Sequence, residues 1–333
     1  MSHANIAVFV PHMGCPQQCS FCNQRVISGA AAQPTAADVD AACERAKKGV
    51  SPGDTVQLAF FGGSFTAIER AKMLELLTAA KRHVDSGFLN GGVRISTRPD
   101  AINDEILSLL RANGVRAVEL GAQSMDDRVL RLNQRGHTAQ DVVGASKLIS
   151  AYGFELGLQM MTGLYGSTDE DCLETARRLI ALHPAAARIY PTVVLRGTRL
   201  AELYEKGEYE PPTLDEAVPL CSELLRLFEE NGVRVIRLGL HAQEDVERQM
   251  VAGAYHPALR ELCQGEIYYR KAVELLKEKP AGAYRLVVSP AAVSQAVGQK
   301  KKNLLRLAQQ GYRCRVQGDE SLHTPYELRI KEL

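Results

Sequence analysis

Three cysteines lie within eight residues of one another, in the segment Cys15-Pro-Gln-Gln-Cys19-Ser-Phe-Cys22. Three thiolates at spacings of four and three can bind three irons of a cubane [4Fe–4S] cluster, which leaves the fourth iron free for a substrate or cofactor. A structural zinc site is the main alternative, but such a site needs four ligands. His12 is the only other ligand type nearby, and its position at a strand end argues against coordination. The spacing therefore favours an iron–sulfur cluster over zinc or over three inert thiols.

The bulk composition describes a chain that can bury a large core without a strong electrostatic field. It has 333 residues, 45% of them hydrophobic, and a formal net charge of +1. We expect neither a signal peptide nor a membrane span, because the early apolar run is short and no stretch approaches about 20 apolar residues. A cytoplasmic location is expected, so a disulfide framework is not. The remaining cysteines are single and are predicted to be small buried residues: Cys43, Cys172, Cys221, Cys263 and Cys314.

Short apolar runs alternate with amphipathic helical stretches along most of the chain. The predicted strands are residues 6–10, 56–61, 93–97, 117–120, 155–161, 187–194 and 233–238. The predicted helices between them include residues 71–83, 101–112, 139–152, 169–182 and 214–231. This alternation predicts parallel β-α units packed as a doubly wound sheet or a barrel, and about six of them favour an α/β fold with a partial (β/α)6 TIM-type barrel. The three cysteines follow the first strand, at the edge of a barrel where active sites lie.

The cysteine pattern after the first strand resembles that of the radical S-adenosylmethionine (SAM) superfamily, whose open iron binds the methionine amine and carboxylate. Gly62-Gly63-Ser64 stands where that superfamily carries a Gly-Gly-Glu-type motif, with serine in place of the acid. Residues 95–100, 119–124, 159–166 and 188–192 resemble segments of the Elongator catalytic subunit, and the first two of these also resemble the oxygen-independent coproporphyrinogen oxidases. No counterpart of the Elongator acetyltransferase domain is expected in this sequence.

The resemblance implies that Cys15, Cys19 and Cys22 hold a [4Fe–4S] cluster and that SAM binds beside it. In the related families the positions of Gln123 and Arg135 contact SAM. Ser96 and Gln159 stand where the oxidases carry acids, and serine and amide groups can still hydrogen-bond hydroxyl groups. The full set of cofactor-binding residues that we carry over is Phe21, Asn23, Gly62, Gly63, Ser64, Ser96, Gln123, Arg135 and Gln159.

Residues 283–318 form a basic segment with no acidic residue. Its predicted order is strand (284–288), helix (291–296), a Gly298-Gln-Lys-Lys loop, helix (303–309) and strand (312–316). This order resembles KH domains, particularly the KH modules of the transcription factor NusA, in which a G-x-x-G loop clamps a nucleic-acid backbone. Lys301 replaces the second glycine of that loop. The predicted nucleic-acid contacts are Lys300, Lys301, Lys302 and Arg306, and the alternative is a structural lid or dimer module with a solvated basic face.

The predicted domains are a radical SAM partial barrel (1–240), a helical connector (241–280) and a KH-like basic domain (281–333). The resemblance implies a radical SAM enzyme that uses its cluster to generate a 5′-deoxyadenosyl radical. We expect the substrate to be RNA, with tRNA as the first candidate, and the electron donor to be of flavodoxin or ferredoxin type. Two alternatives stay open: the same chemistry on a small molecule with the C-terminal domain as a lid, or a non-catalytic iron–sulfur RNA-binding protein.

Overall fold

Seven parallel strands form the central sheet of the protein. The structure is a computed structural model, and it describes residues 3–11, 15, 18–23, 32–240 and 244–333. His12 lies outside these residues. In spatial order the strands are β1 (His3–Val10), β2 (Thr55–Gly62), β3 (Val93–Thr97), β4 (Val115–Gln123), β5 (Glu155–Thr162), β6 (Ala186–Pro191) and β8 (Arg234–Leu238). Every adjacent pair is parallel, the strands follow one another in chain order, and β1 and β8 form the two edges, which is the arrangement of an open partial barrel, as the sequence predicts.

Helices connect these strands, which is the geometry that parallel pairing requires. They are α1 (Ala36–Lys47), α2 (Arg70–Asp85), α3 (Asp104–Ala112), α4 (Asp127–Leu132), α5 (Ala139–Ala151), α6 (Asp169–Ile180), α7 (Arg199–Glu205) and α8 (Leu214–Glu230). Residues of the strands alternate between the two faces of the sheet. Leu58, Phe60, Ile95, Leu120 and Leu158 are fully or almost fully buried in the core that the helices cover, whereas the other face carries polar side chains into the barrel.

Two predicted boundaries were wrong, and proline is the physical reason for both. The strand predicted over 187–194 is divided, because Pro191 has no N–H for a ladder; it ends β6, and β7 (Val193–Leu195) pairs instead with β9 (Met250–Gly253). The helix predicted from residue 101 begins only at Asp104. Pro99 opens a separate 3₁₀ turn, and the Asn103 side chain caps the helix by accepting from the backbone N–H of Ile106.

A small second sheet follows the barrel near the end of the chain. Its order is β11 (Tyr312–Gly318), β10 (Gly282–Val288) and β12 (Leu328–Glu332), and β12 was not predicted. The helices of this part are α9 (Glu244–Gln249), α10 (Leu259–Leu276), α11 (Val293–Val297) and α12 (Lys302–Gln309). The first half of α10 belongs to the barrel core and its second half to the core under the small sheet. The domain limits at residues 240 and 280 stay predictions.

Candidate active site at the carboxyl end of the sheet

A cavity of about 830 Å³ opens at the carboxyl end of the parallel strands. Three predicted cluster ligands and eight of the nine predicted cofactor-binding residues line it: Cys15, Cys19, Phe21, Cys22, Gly62, Gly63, Ser64, Ser96, Gln123, Arg135 and Gln159. The exception is Asn23, whose side-chain amide lies 3.1 Å from the carbonyl oxygen of Arg196 and donates to it. The fold therefore gathers into one place residues that are up to 144 positions apart (159 − 15).

The cysteine segment is fixed to the barrel on both sides by Ser20. Its backbone N–H donates to the carbonyl of Asn133 at 3.1 Å, and its hydroxyl donates to the Asn133 side chain at 2.7 Å. Its own carbonyl accepts from the backbone N–H of Leu200 at 2.9 Å. Asn133 is fully buried at the end of α4, and its side-chain amide donates to the carbonyls of Val129 and Tyr165 at 2.9 Å, so it links the cysteine segment to α4 and to the loop after β5. Sequence reasoning missed Asn133, since nothing local identifies its distant partner.

The three thiols differ in exposure, since Cys15 is exposed, Cys22 is intermediate and Cys19 is buried. Although Cys15 faces the open cavity, partial desolvation raises the pKa of its thiol, while the backbone of Ser64 and the charge of Arg98 act in the opposite direction. Within the described part of the chain, no three Cys, His, Asp or Glu side chains are already grouped tightly enough to hold a metal ion. The thiols share one cavity, but a cluster would have to draw them together.

The glycine segment after β2 contacts β1 and β3 directly. The backbone N–H of Gly63 donates to the carbonyl of Val10 at 2.7 Å. Ser64 is buried, and its hydroxyl accepts from the backbone N–H of Arg98 at 3.1 Å and forms a hydrogen bond with the Thr97 hydroxyl at 2.8 Å. This hydroxyl therefore holds the end of β3 in place, and its predicted role in cofactor binding stays a prediction.

The ends of β4 and β5 form one wall of the cavity. Gln123 has a φ of 65°, a left-handed conformation that is uncommon for a residue other than glycine and concentrates at functional sites. The side-chain amide of Gln159 donates to the side-chain oxygen of Gln123 at 3.1 Å. Arg135 donates from Nη2 to the carbonyl of Gly121 at 2.6 Å and from Nη1 to Cys19 Sγ at 3.1 Å. A Cβ at Gly121 would come within 2.9 Å of the Gln123 side-chain nitrogen and 3.3 Å of Arg135 Nη2, so a larger residue there would displace the ends of these two side chains.

Two guanidinium groups keep unused donors in this cavity. The side chain of Arg98 is 4% exposed, and its Nε and Nη2 both donate to Asp100 at 2.9 Å. Its Nη1 and the Nε of Arg135 are buried and have no hydrogen-bond partner among the described residues. Leaving a buried charged donor unpaired costs about 1–3 kcal/mol or more, so these N–H groups are suited to an anionic ligand.

Deeper in the barrel, one carboxylate balances two guanidinium groups. Glu119 on β4 accepts from Arg94 at 3.0 Å and from both Nε and Nη2 of Arg188, at 2.7 and 3.1 Å. Burial alone would lower the pKa of Arg188, but the charge of Glu119 and the Tyr190 hydroxyl outweigh it and raise that pKa. Sequence reasoning missed these roles, although three charges at inward positions of buried strands were a usable signal.

The predicted nucleic-acid contacts lie around a second cavity of about 480 Å³, which Lys300, Lys302 and Arg306 line. Lys302 forms an ion pair with Asp215 of α8 at 3.3 Å. Arg306 pairs with Glu266 of α10 at 2.5 Å and stacks 3.4 Å from the centre of the Tyr269 ring. Lys300 and Lys301 both have left-handed backbones, with φ of 51° and 61°. Two of the four predicted cations are therefore already paired with acids of the same chain.

Comparison with known families decides the class of protein. The sequence model described as the radical SAM superfamily matches residues 9–179, and that of the radical SAM C-terminal domain matches residues 184–269. The chain belongs to the radical SAM superfamily. It is accordingly a radical SAM enzyme, and the cofactors that define this superfamily are a [4Fe–4S] cluster and SAM. No helix among the described residues of this radical SAM enzyme is long and apolar enough to cross a membrane.

Several curated proteins resemble this radical SAM chain over part of its length. An uncharacterized protein from Methanocaldococcus jannaschii is 31% identical over 213 residues, which cover 63% of this chain and 62% of that protein. The tRNA uridine(34) acetyltransferase of Methanocaldococcus infernus is 28% identical over 200 residues, 54% of this chain and 37% of that protein. Human Elongator complex protein 3 is 33% identical over 175 residues, 51% and 31% of the two chains. The chain thus spans less than two thirds of each of these relatives.

A solved structure shares the fold of this radical SAM enzyme. The archaeal Elp3 of Methanocaldococcus infernus, with an N-terminal deletion, aligns with a TM-score of 0.61 and 22% identity. The alignment covers 81% of this chain and 68% of that one. The predicted resemblance to the Elongator branch is therefore confirmed in both sequence and fold.

Proposed function

We propose that this enzyme binds a [4Fe–4S] cluster through Cys15, Cys19 and Cys22, binds SAM beside it, and modifies an RNA, with tRNA as the first candidate substrate. The observation that carries the proposal is that the three thiols line one cavity together with Gln123 and Arg135, at the carboxyl edge of the sheet. The names of two relatives, a tRNA uridine(34) acetyltransferase and Elongator complex protein 3, support an RNA substrate for this chain.

The residues present fit these cofactors. Thiolates are the protein ligands of iron–sulfur clusters, and three of them leave one iron open. The unpartnered N–H groups of Arg98 and Arg135 suit anionic sulfur or a carboxylate, and the contact from Arg135 to Cys19 Sγ shows such an interaction within the chain itself. When bound, the cluster and SAM supply the radical chemistry. The protein's own groups position the ligands and, through the walls of the cavity, limit access of water.

The first experiment measures iron after anaerobic reconstitution. The wild type should retain about four irons per chain, a number that the cubane cluster sets. The triple variant Cys15→Ala/Cys19→Ala/Cys22→Ala should retain none and cleave no SAM. Cys43→Ala is the matched control, because Cys43 is a buried cysteine on α1 and its replacement should change neither result. A full cluster in the triple variant would remove the basis of the proposal.

A second experiment tests the SAM contacts without relying on turnover. Gln123→Ala and Arg135→Ala should leave the iron content unchanged and weaken SAM binding in calorimetry. Losing one hydrogen bond to a ligand costs about 1–3 kcal/mol, and the loss of the charged partner costs more. If both variants bind SAM with wild-type affinity, these two residues are not cofactor contacts.

A small-molecule substrate is the second candidate, and a specific observation favours it. Lys302 and Arg306 are paired with Asp215 and Glu266, which lie on helices that pack against the barrel. These pairs suit a structural lid. Mass spectrometry of tRNA and rRNA nucleosides from a deletion strain separates the two candidates, because only an RNA substrate predicts a missing modified nucleoside.

A further inference from the structure

The small C-terminal sheet has two chemically different faces. Alternate residues of its three strands point to the same face. One face packs against α10, α11 and α12 through Tyr284, Leu286, Val288, Val316 and Ile330. The opposite face carries five cations: Arg285, Arg313, Arg315, Arg329 and Lys331. We call this second surface the basic face of the sheet.

The register places these cations side by side across the sheet. Arg285 on the central strand β10 is the partner of Arg315 on β11 and of Lys331 on β12. Neighbouring strands lie about 4.8 Å apart, so the backbones of this row span roughly 10 Å. Arg313 lies two residues before Arg315, on the same face and roughly 7 Å along the strand. Arg313, Arg315 and Lys331 are exposed, and Arg285 is half-buried.

Acids compensate only one side of the basic face. Arg329 pairs with Glu327 at 2.8 Å, and Asp319 lies close enough to Arg329 and Lys331 for their charges to lower the pKa of its carboxyl, though hydrogen bonds from Ser321 contribute more. In the described part of the chain, Arg285, Arg313 and Arg315 form no ion pair. The residues outside that part include no Asp or Glu, so they cannot supply one.

Protection of a sheet edge does not account for this pattern. Charged side chains on an edge strand discourage pairing with other chains, and β11 is such a strand. Arg285, however, lies on the central strand, where both neighbours are already paired. Like charges directly opposite each other destabilise a sheet, so the pair of Arg285 and Arg315 has an energetic cost that an external anion would remove.

We propose that the basic face binds the phosphate backbone of the RNA substrate, through Arg285, Arg313 and Arg315, with Lys331 at its border. This assignment rests on the proposed RNA substrate and moves the main contact surface away from the Gly298 loop, where Lys302 and Arg306 already form ion pairs within the chain. Arginine is the side chain best suited to phosphate, because its planar fork donates two parallel hydrogen bonds.

The experiment is filter binding of total tRNA to the full-length protein across a salt series. The face variant is Arg285→Gln/Arg313→Gln/Arg315→Gln. Each lost phosphate contact makes the negative slope of log affinity against log salt shallower by about 0.7 for a single strand, so this variant should flatten the slope by about 2. The ratio of wild-type affinity to face-variant affinity should then shrink about 16-fold when the salt concentration rises from about 50 to about 200 mM.

Two control variants separate the loss of the three face arginines from a change in net charge and from a folding defect. Arg45→Gln/Lys48→Gln/Lys147→Gln removes the same charge from exposed, unpaired positions on α1, its C-terminal cap and α5, and it should bind like the wild type. The triple replacement of the three face arginines by lysine keeps the charge and should retain most of the affinity and the slope, which a folding defect would not. Thermal unfolding of each variant confirms that the sheet is intact.

The outcomes separate the two proposals. If the wild type binds tRNA and the face variant matches the Arg45/Lys48/Lys147 control, the basic face is overturned while the RNA substrate stands. A loop variant replaces Lys300, Lys301 and Lys302 by Gln. If this variant lost affinity for tRNA and the face variant did not, the contacts would lie on the loop, and the proposal of the basic face would equally be overturned. If the wild type shows no salt-dependent, saturable binding of tRNA, the RNA part of the proposed function fails, and the basic face fails with it.

Discussion

Glu119 is the residue on which the charge balance of the barrel interior depends, and its replacement by Gln gives a measurable test. The side chains of Glu119, Arg94 and Arg188 are 5%, 7% and 14% exposed, so water screens their interactions weakly. Glu119→Gln keeps the shape of the side chain and removes its charge. Two buried guanidinium groups then lose the carboxylate that they share.

The expected cost falls unevenly on the two arginines. Arg94 keeps Glu155 at 3.0 Å and Gln57 at 2.9 Å. Arg188 has no second carboxylate among the described residues, and its other contacts are the Tyr190 hydroxyl at 3.4 Å and the ring face of Phe61 at 5.0 Å. Breaking a buried ion pair by removing one partner costs about 3–5 kcal/mol. Because Arg94 stays paired, we expect the lower end of that range, about 3 kcal/mol.

Urea unfolding followed by circular dichroism measures this loss as a lower midpoint with an unchanged m-value. Glu155→Gln is the control, since the side chain of Glu155 is 35% exposed and its ion pair should contribute no more than about 1 kcal/mol. Glu119→Gln/Arg188→Met should recover part of the loss, because the second change removes the stranded charge. Equal small losses in Glu119→Gln and Glu155→Gln, or strict additivity in the double variant, would refute this account.

Three further predictions concern stability. Asn133→Ala leaves the Ser20 hydroxyl unpaired and should cost about 1–3 kcal/mol in urea unfolding; a loss no larger than that of a Ser20→Ala chain would contradict it. Lys301→Gly should be about 1 kcal/mol more stable in thermal unfolding than Lys301→Ala, because the backbone there has a φ of 61°; equal melting temperatures would count against left-handed strain. Burial, aided by a neighbouring positive charge, lowers the pKa of His137 to about 4 from 6.5, so the wild type should lose stability relative to His137→Gln as pH falls from 6.5 towards 4. If the stabilities of the wild type and His137→Gln changed in parallel with pH, the pKa of His137 would not differ between the folded and unfolded chains, and the prediction would be wrong.

The fold was predictable because its signals are local. Asn113-Gly114, Tyr152-Gly153 and Asn231-Gly232 each end a helix, and all three glycines have positive φ angles there. Apolar periodicity then identifies the strands between the helices. The position of the thiols followed from topology alone, because the carboxyl ends of parallel strands meet at one edge.

The ion pairs between distant residues were not predictable, because they depend on which helices and strands lie next to each other in the folded chain. Lys302 and Asp215 are separated by 87 positions, and Arg188 and Glu119 by 69. Nothing near either residue in the sequence identifies the other. The strand β12 was missed for a similar reason, because its short run of alternating charged residues resembles a solvated tail until β10 is beside it.

In the basic segment, the ion pairs seen in the structure distinguish cations that a count of charges in the sequence treats alike. In the sequence, its seven cations between residues 283 and 318 are equivalent and support one loop-based site. In the structure, Lys302 and Arg306 form ion pairs with acids of the same chain, while Arg285 and Arg315 lie in register with no acid opposite. A phosphate gains most where it replaces water around an uncompensated charge, since displacing an existing ion pair offsets its own attraction. The surface to test first is therefore the sheet, although the loop carries the recognisable motif.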